Sequence, residues 1–308
     1  MTKALNLCPG RDAGYGRRSA AGLLICLGVL WVTGLGGHAG QRKGQTVLTL
    51  SRPAGASSRS ITYDLDALER LGLAQLTARD VHLEKVLNYS GVPVARLIEV
   101  AAPRDQVEKV RFYASDGYMV ELPAALLRQY PVLLATRIEG KHSRESNVWE
   151  WGPHRINMGP LYLVFPNQNQ SGASRPEFSR NWNWIFGVER MVLLRAGEGL
   201  SQLDAQTPAE PEARRGLDLF RRDCAYCHQV FGQGGHQGPP LDRIMSVRSK
   251  EYVKRYIADP QAVLPTARMP KMSDWGTGFG AAELDALAAY LKFVHDREQQ
   301  LRRRPAGE

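Results

Sequence analysis

Apolar and polar positions alternate from Thr46 to Leu50, the period-two pattern of a strand with one buried face. Ile61 to Leu71 opens the same way and reads as a strand or short helix. Val107 to Tyr113 is rich in β-branched and aromatic residues. Asp116-Gly117 then gives a turn signal before Tyr118 to Leu122, so this stretch predicts a hairpin. Pro123 to Gln129 reads as a helical turn. Gly159-Pro160 opens the apolar run Leu161 to Phe165, suited to a buried strand, and Val188 to Leu194 makes a last strand. Together these predict an α+β domain with a mainly β core over residues 40–196.

The period then changes. Gly197 to Ala213 carries Glu198, Asp204, Glu210 and Glu212 with Pro208 and Pro211 and few apolar residues, which predicts an acidic, semi-extended linker over 197–211. Beyond it, Arg214 to Arg222 places Leu217, Leu219 and Phe220 at helical spacing, with Gly216 leaving room for a close helix partner. Glu251 to Ala258 reads as a short helix with Pro260 just past it. Leu284, Leu287, Ala288 and Leu291 mark a final helix over Glu283 to Val294. Residues 212–304 therefore predict a separate all-α domain. No internal repeat is evident.

The N-terminus changes the picture of location. Arg17-Arg18 precede an apolar stretch, Ala20 to Leu35, followed by Gly36-Gly37-His38-Ala39, the pattern of a secretory signal over residues 1–39 cleaved after Ala39. An uncleaved membrane anchor is the alternative, although the run is shorter than the roughly 20 apolar residues of a comfortable span. The expected location is the periplasm. The chain carries a formal charge of +9; Lys3, Arg11, Arg17 and Arg18 against Asp12 contribute +3 of it, leaving +6 for residues 40–308. A mildly basic protein without dense Lys/Arg runs suits an acidic partner and does not point to nucleic acid. Of the four cysteines, Cys8 and Cys26 fall in the expected leader, which leaves Cys224 and Cys227 as the one dithiol of the exported chain.

That dithiol lies in Cys224-Ala225-Tyr226-Cys227-His228, a C-x-x-C-H motif. Two thiols one helical turn apart can add to the two vinyl groups of haem, and the adjacent histidine then projects over the porphyrin to ligate iron. A thioredoxin-like pair would need a strand before the motif and a helix after it, whereas Gly-rich sequence follows. A zinc site would need a second Cys/His pair, and no second pair of cysteines exists. The motif predicts one haem c per chain, attached at Cys224 and Cys227 with His228 axial. Gly238-Pro239-Pro240-Leu241 offers a rigid turn whose Pro239 carbonyl can fix the far nitrogen of His228.

The series of N-terminal helix, C-x-x-C-H, G-P-x-L turn, Arg268-Met269-Pro270 and C-terminal helix closely resembles class I c-type cytochromes. The resemblance implies iron held by His228 and Met269, because Met269 sits in the M-P context that family uses. A thioether opposite imidazole raises the haem potential and closes the iron, as a carrier requires. Met272 is the rival; Met245 reads as core, and His236 and His295 as solvated or hydrogen-bonded side chains. Arg221, Arg222, Arg243, Arg248, Lys250, Lys254, Arg255, Arg268 and Lys271 near these segments fit either a rim for an acidic redox partner or an ordinary solvated surface.

In the first domain, Gly91-Val92-Pro93-Val94-Ala95-Arg96-Leu97-Ile98, Asp116-Gly117-Tyr118, Leu133-Leu134-Ala135, Gly159 to Pro166 and Trp184 to Val192 follow one another in the order of the sulfite-oxidase-type molybdopterin-binding domain, which this region resembles. Those enzymes hold molybdenum through a cysteine thiolate, and residues 40–223 contain no cysteine. The reading is a retained fold without its metal, with pterin bound free of that bond as an open alternative. Trp149/Trp151 and Trp182/Trp184 each share a strand face if extended, which suits packing or a partner platform. His82, His142 and His154 have no metal spacing.

The function expected is an exported c-type cytochrome that passes single electrons from a periplasmic redox enzyme to an acceptor, with the first domain as a docking or ligand-binding module. No catalytic residue is assigned. The alternatives are a haem–molybdopterin dehydrogenase of the sulfite oxidase type and a haem-based sensor. Contact with a membrane is expected only if the signal stays uncleaved.

Overall fold

A computed structural model of the chain describes residues 44–51, 60–103, 106–167, 178, 183–275 and 278–303. The expected signal segment, with Cys8 and Cys26, and Trp182 of the second tryptophan pair lie outside the described residues. Residues 43–308 form one compact unit containing two lobes.

The first lobe contains two sheets. Strands β1 (Thr46–Ser51) and β2 (Ser60–Asp64) pair antiparallel, and α1 (Leu65–Glu69) follows directly, capped by the Asp64 carboxylate on the Ala67 amide at 2.7 Å. The stretch read as strand or short helix is thus both in turn. Strands β3 (Ala74–Arg79) and β4 (Val86–Pro93) form a hairpin, and α2 (Val94–Ala101) starts straight after Pro93. The expected hairpin is β5 (Lys109–Ala114) and β6 (Met119–Pro123), with Gly117 at φ +90° in its turn. Helix α3 (Ala124–Gln129) and β7 (Leu133–Ile138) come next. A two-strand ribbon follows, β8 (Glu150–Trp151) and β9 (Ile156–Asn157), and β10 (Tyr162–Val164) and β11 (Val188–Leu194) close the lobe. One sheet runs β2-β1-β11-β5-β6 and the other β10-β7-β4-β3; among the described residues β1 and β11 pair parallel and the other neighbours antiparallel. Leu48, Leu50, Val110, Phe112, Leu133, Leu134, Leu163 and Leu193 are all fully buried in the core around these sheets. This matches the expected α+β class with a mainly β core.

The tryptophans depart from the expectation. Trp149 and Trp151 do not share a strand face: Ser146 caps a 3₁₀ turn over Asn147–Trp149, which rotates the first indole into the core. Its Nε1 donates to the Lys141 carbonyl at 2.9 Å, while Trp151, in β8, lies against the rings of His82 and Phe186. Trp184 is buried and donates to the Phe178 carbonyl at 2.9 Å. These are packing roles. His82 bonds the Trp184 carbonyl, His142 the Thr136 carbonyl, and His154 is exposed.

The second lobe is helical. Helix α4 (Pro211–Leu219) begins with proline at its first position, where the missing N–H costs no bond. A small ribbon, β12 (Gln229–Val230) and β13 (Gln233–Gly234), follows the C-x-x-C-H motif. Then come α5 (Ile244–Val247), α6 (Lys250–Ala258, capped by Ser249), α7 (Pro260–Val263, capped by Asp259) and α8 (Ala281–Arg303). Leu217, Phe220, Val253, Ala286, Leu287, Tyr290, Leu291 and Val294 fill its core.

Gly216 sets how closely α4 and α8 approach. A Cβ there would run into the Ala286 carbonyl and lie 2.6 Å from the Tyr290 Cβ, which is backbone-limited space with no room to yield. Gly216→Val should cost at least the ~1–3 kcal/mol typical of overpacking. Thermal unfolding followed by far-UV circular dichroism should show a lowered midpoint, and an unchanged midpoint would mean that α4 does not seat as described.

The segment expected to be a semi-extended linker is ordered. Gly199–Gln206 is a 3₁₀ helix that buries Leu203 in the second lobe. Its other side is held by the first lobe: the Leu200 amide donates to the Glu121 carboxylate at 3.2 Å and Lys109 Nζ to the Ser201 hydroxyl at 2.7 Å. Arg221 pairs with Asp204 at 2.6 Å. Two leucines and these polar anchors outweigh the acidic composition, so the segment is packed against both lobes.

Candidate functional site

Helix α4 ends in a π turn over Phe220–Cys224, closed by the Ala225 amide on the Phe220 carbonyl at 2.8 Å. Such turns concentrate at functional sites because the extra residue re-aims the side chains that follow. The chain continues round one more turn, with the amides of Cys227 and His228 both on the Cys224 carbonyl, at 3.1 and 2.9 Å. That turn sets Cys224, Cys227 and His228 on one short arc. The return strand is stitched back to it by Gly235 N–H on the Ala225 carbonyl, Gly238 N–H on the Cys227 carbonyl and Leu241 N–H on the Gln229 carbonyl, each at 2.8 Å.

This stitching places Pro239 where the sequence put it. His228 Nδ1 lies 2.8 Å from the Pro239 carbonyl. A carbonyl only accepts, so Nδ1 carries the proton and Nε2 presents its lone pair. Burial lowers the His228 pKa, with the Pro239 bond opposing it, so the ring stays neutral as a ligand must be. Gly238 is required here, since a Cβ would fall within the His228 ring.

The two cysteines are unpaired thiols, and both are pushed up to about 12. Burial is the main cause at each; the Asp223 carboxylate adds to it at Cys224 and Asp116 at Cys227. A dithiol built for exchange has its attacking thiol lowered, so this environment argues against thioredoxin-like chemistry. Two thiols three residues apart, a tautomer-fixed imidazole and a glycine cradle against its ring fit covalent haem. The Tyr290 hydroxyl and one oxygen of Asp223, both buried, have no hydrogen-bond partner from the chain among the described residues.

Met269 lies half-buried in the loop after α7, and its carbonyl accepts from Gln261 Nε2 at 2.9 Å. Gln261 also holds the Ala267 carbonyl, and Lys271 pairs with Asp259 at 2.6 Å, so the loop is pinned on both sides of Met269. Met272 is buried at the start of a 3₁₀ turn, Met272–Trp275. Met245 is half-buried beside the helical core. His236 lies near the Tyr113 ring of the first lobe, and His295 bonds Gln299 on α8.

The basic set is less available than its number suggests. Arg221, Arg222, Lys250, Lys254 and Lys271 each pair with a carboxylate of this chain. Arg248 packs over the Tyr252 ring. What the sequence did not reveal is that the first lobe touches the motif itself: Tyr118 stacks on Tyr226, between the two cysteines, with ring centres 5.6 Å apart and planes 10° from parallel. Among the described residues no group of three or more His, Cys, Asp and Glu side chains could hold a metal ion, and no helix is long and apolar enough to cross a membrane.

The cytochrome c family profile matches residues 213–294. A curated relative, the cytochrome bc1 complex cytochrome c subunit of Corynebacterium diphtheriae, is 29% identical over 121 residues, 38% of each chain; the protein thus spans well under half of that relative. Among solved structures, the sulfane dehydrogenase SoxCD from Paracoccus pantotrophus overlaps loosely, at a TM-score of 0.34 and 16% identity over 49% of this chain and 39% of that one. The C-terminal lobe carries a cytochrome c domain, which implies covalently bound haem c.

Proposed function

We propose that this chain is an exported, periplasmic single-electron carrier, in which Cys224 and Cys227 hold haem c and His228 and Met269 ligate its iron. The observation that carries this reading is the His228 imidazole, turned by the Pro239 carbonyl so that Nε2 presents its lone pair, one residue from the free Cys227 thiol. Haem c, when bound, supplies an iron that alternates between two oxidation states. The chain's own residues do the rest. Pro239 keeps the proton on Nδ1 and raises the basicity of Nε2. Gln261, Asp259 and Lys271 hold the backbone of the Met269 loop, from which the thioether would ligate the iron. With His228 and Met269 both as ligands, the iron would have no open position for a substrate.

The first lobe serves, in this reading, as a docking or ligand-binding module of sulfite-oxidase type. Its residues do not fit an active molybdenum centre, because no cysteine occurs between residues 40 and 223. Donor and acceptor are a periplasmic redox enzyme and a downstream carrier.

The test is the full chain produced in a host that attaches haem to C-x-x-C-H motifs. One iron per chain, low-spin bands on reduction and reversible one-electron oxidation are expected, with molybdenum far below one per chain. Stoichiometric molybdenum together with sulfite oxidation would instead establish the dehydrogenase.

A further inference from the structure

The contact between the lobes centres on the turn joining β5 and β6, which grips the haem-attachment segment on both of its strands. The Met119 amide donates to the Tyr226 carbonyl at 2.8 Å, and the Gly117 carbonyl accepts from the His236 amide at 2.9 Å. Tyr118 covers Tyr226 with its ring. Asp116 Oδ2 accepts from Gln237 Nε2 at 2.5 Å, and Gln237 Oε1 in turn lies 3.1 Å from Cys227 Sγ. Gly117 is left-handed, and a Cβ there would lie 2.7 Å from the His236 ring and 2.9 Å from the Gln237 amide, so only glycine permits this approach. His236 and Gln237 lead directly into Gly238 and Pro239, whose carbonyl orients His228.

We propose that Asp116, Gly117 and Tyr118 of the first lobe are positioning residues for the haem, fixing the turn that orients His228 and setting the iron's potential with a carboxylate and an aromatic cover. The inference rests on the carrier reading above. Asp116 places a negative charge one side chain from the Cys227 sulfur, which favours the more positive, oxidised iron and lowers the potential. Tyr118 keeps water from the attachment segment, which favours the less charged, reduced iron and raises the potential. The two residues therefore act with opposite sign.

The experiment is redox titration of the haem-loaded full chain and two variants. In Asp116→Asn the charge is removed, and of the two bonds the carboxylate accepts, from the Tyr118 amide at 3.0 Å and from Gln237 Nε2 at 2.5 Å, the single amide oxygen keeps one. The midpoint potential should rise, by less at high salt because the group is exposed. In Tyr118→Ala the backbone bonds remain and the potential should fall, with altered hyperfine-shifted NMR signals from the His228 ring. Variants that keep the wild-type potential, or that change only the melting temperature, would reduce the turn to packing and overturn the inference; so would shifts of the same sign. Failure of the carrier reading looks different, since the wild-type chain would then lack the low-spin spectrum before any variant is compared.

Discussion

The double variant Cys224→Ser, Cys227→Ser, produced in a haem-attaching host, yields a polypeptide that is colourless after acid–acetone extraction, whereas the wild-type chain stays red. The expectation is complete loss. Covalent retention requires a carbon–sulfur bond, and no other cysteine lies between residue 40 and the C-terminus. The geometry explains why both thiols matter: Cys224 ends the π turn and its carbonyl opens the next one, which the Cys227 and His228 amides close, so the thiols sit a fixed turn apart on a backbone stitched by the return strand. Single variants should keep one bond and remain coloured, with a red-shifted α band in the pyridine haemochrome spectrum. In the folded chain both thiols are raised to about 12, so at neutral pH they are protonated and poor nucleophiles. A wild-type polypeptide bleached by the same extraction would end the cytochrome assignment of this motif.

The second large effect concerns Met269, the proposed second ligand. Met269→Ala should convert a closed site into one that binds carbon monoxide on reduction, read as a shift of the Soret band that the wild-type chain does not show. The rationale is in the loop: Gln261 and the Asp259–Lys271 pair hold its backbone independently of the methionine side chain, so truncation opens a coordination position without unravelling the segment. Met272 supplies the control. It is buried three residues further on, and if Met272→Ala opens the iron while Met269→Ala does not, the axial assignment moves to Met272. If neither variant binds the gas, methionine ligation is wrong.

Elements carried by local chemistry were legible in the chain. The β5–β6 hairpin follows from Asp116-Gly117, and the C-terminal helix from its leucine spacing, because turn residues and periodicity act within a few positions. The motif named its chemistry because its spacing is itself the geometry, and Pro239 followed from a turn that has few conformations. Where sequence reading failed, distant partners decide. Ala74–Arg79 carries little β-branched character and is a strand because it pairs with β4. Trp149 turns inward because Ser146 caps a 3₁₀ turn and the Lys141 carbonyl awaits the indole. The acidic segment after residue 196 folds because Leu203 has a core to enter and Glu121 accepts the Leu200 amide. The stack of Tyr118 on Tyr226 joins residues far apart in sequence, and neither advertises it locally.

The Glu121 carboxylate has a consequence for anyone recombining this chain. Only 3% exposed, it takes Arg111 at 2.7 Å and Lys109 at 3.4 Å from its own sheet, together with the Leu200 amide, while Arg111 reaches on to Gln233 beside the haem motif. Desolvated charge demands all its partners at once. A chimera that grafts a foreign haem module onto this β scaffold must therefore reproduce an amide at position 200 and an acceptor at position 233, or strand a buried ion pair at the joint.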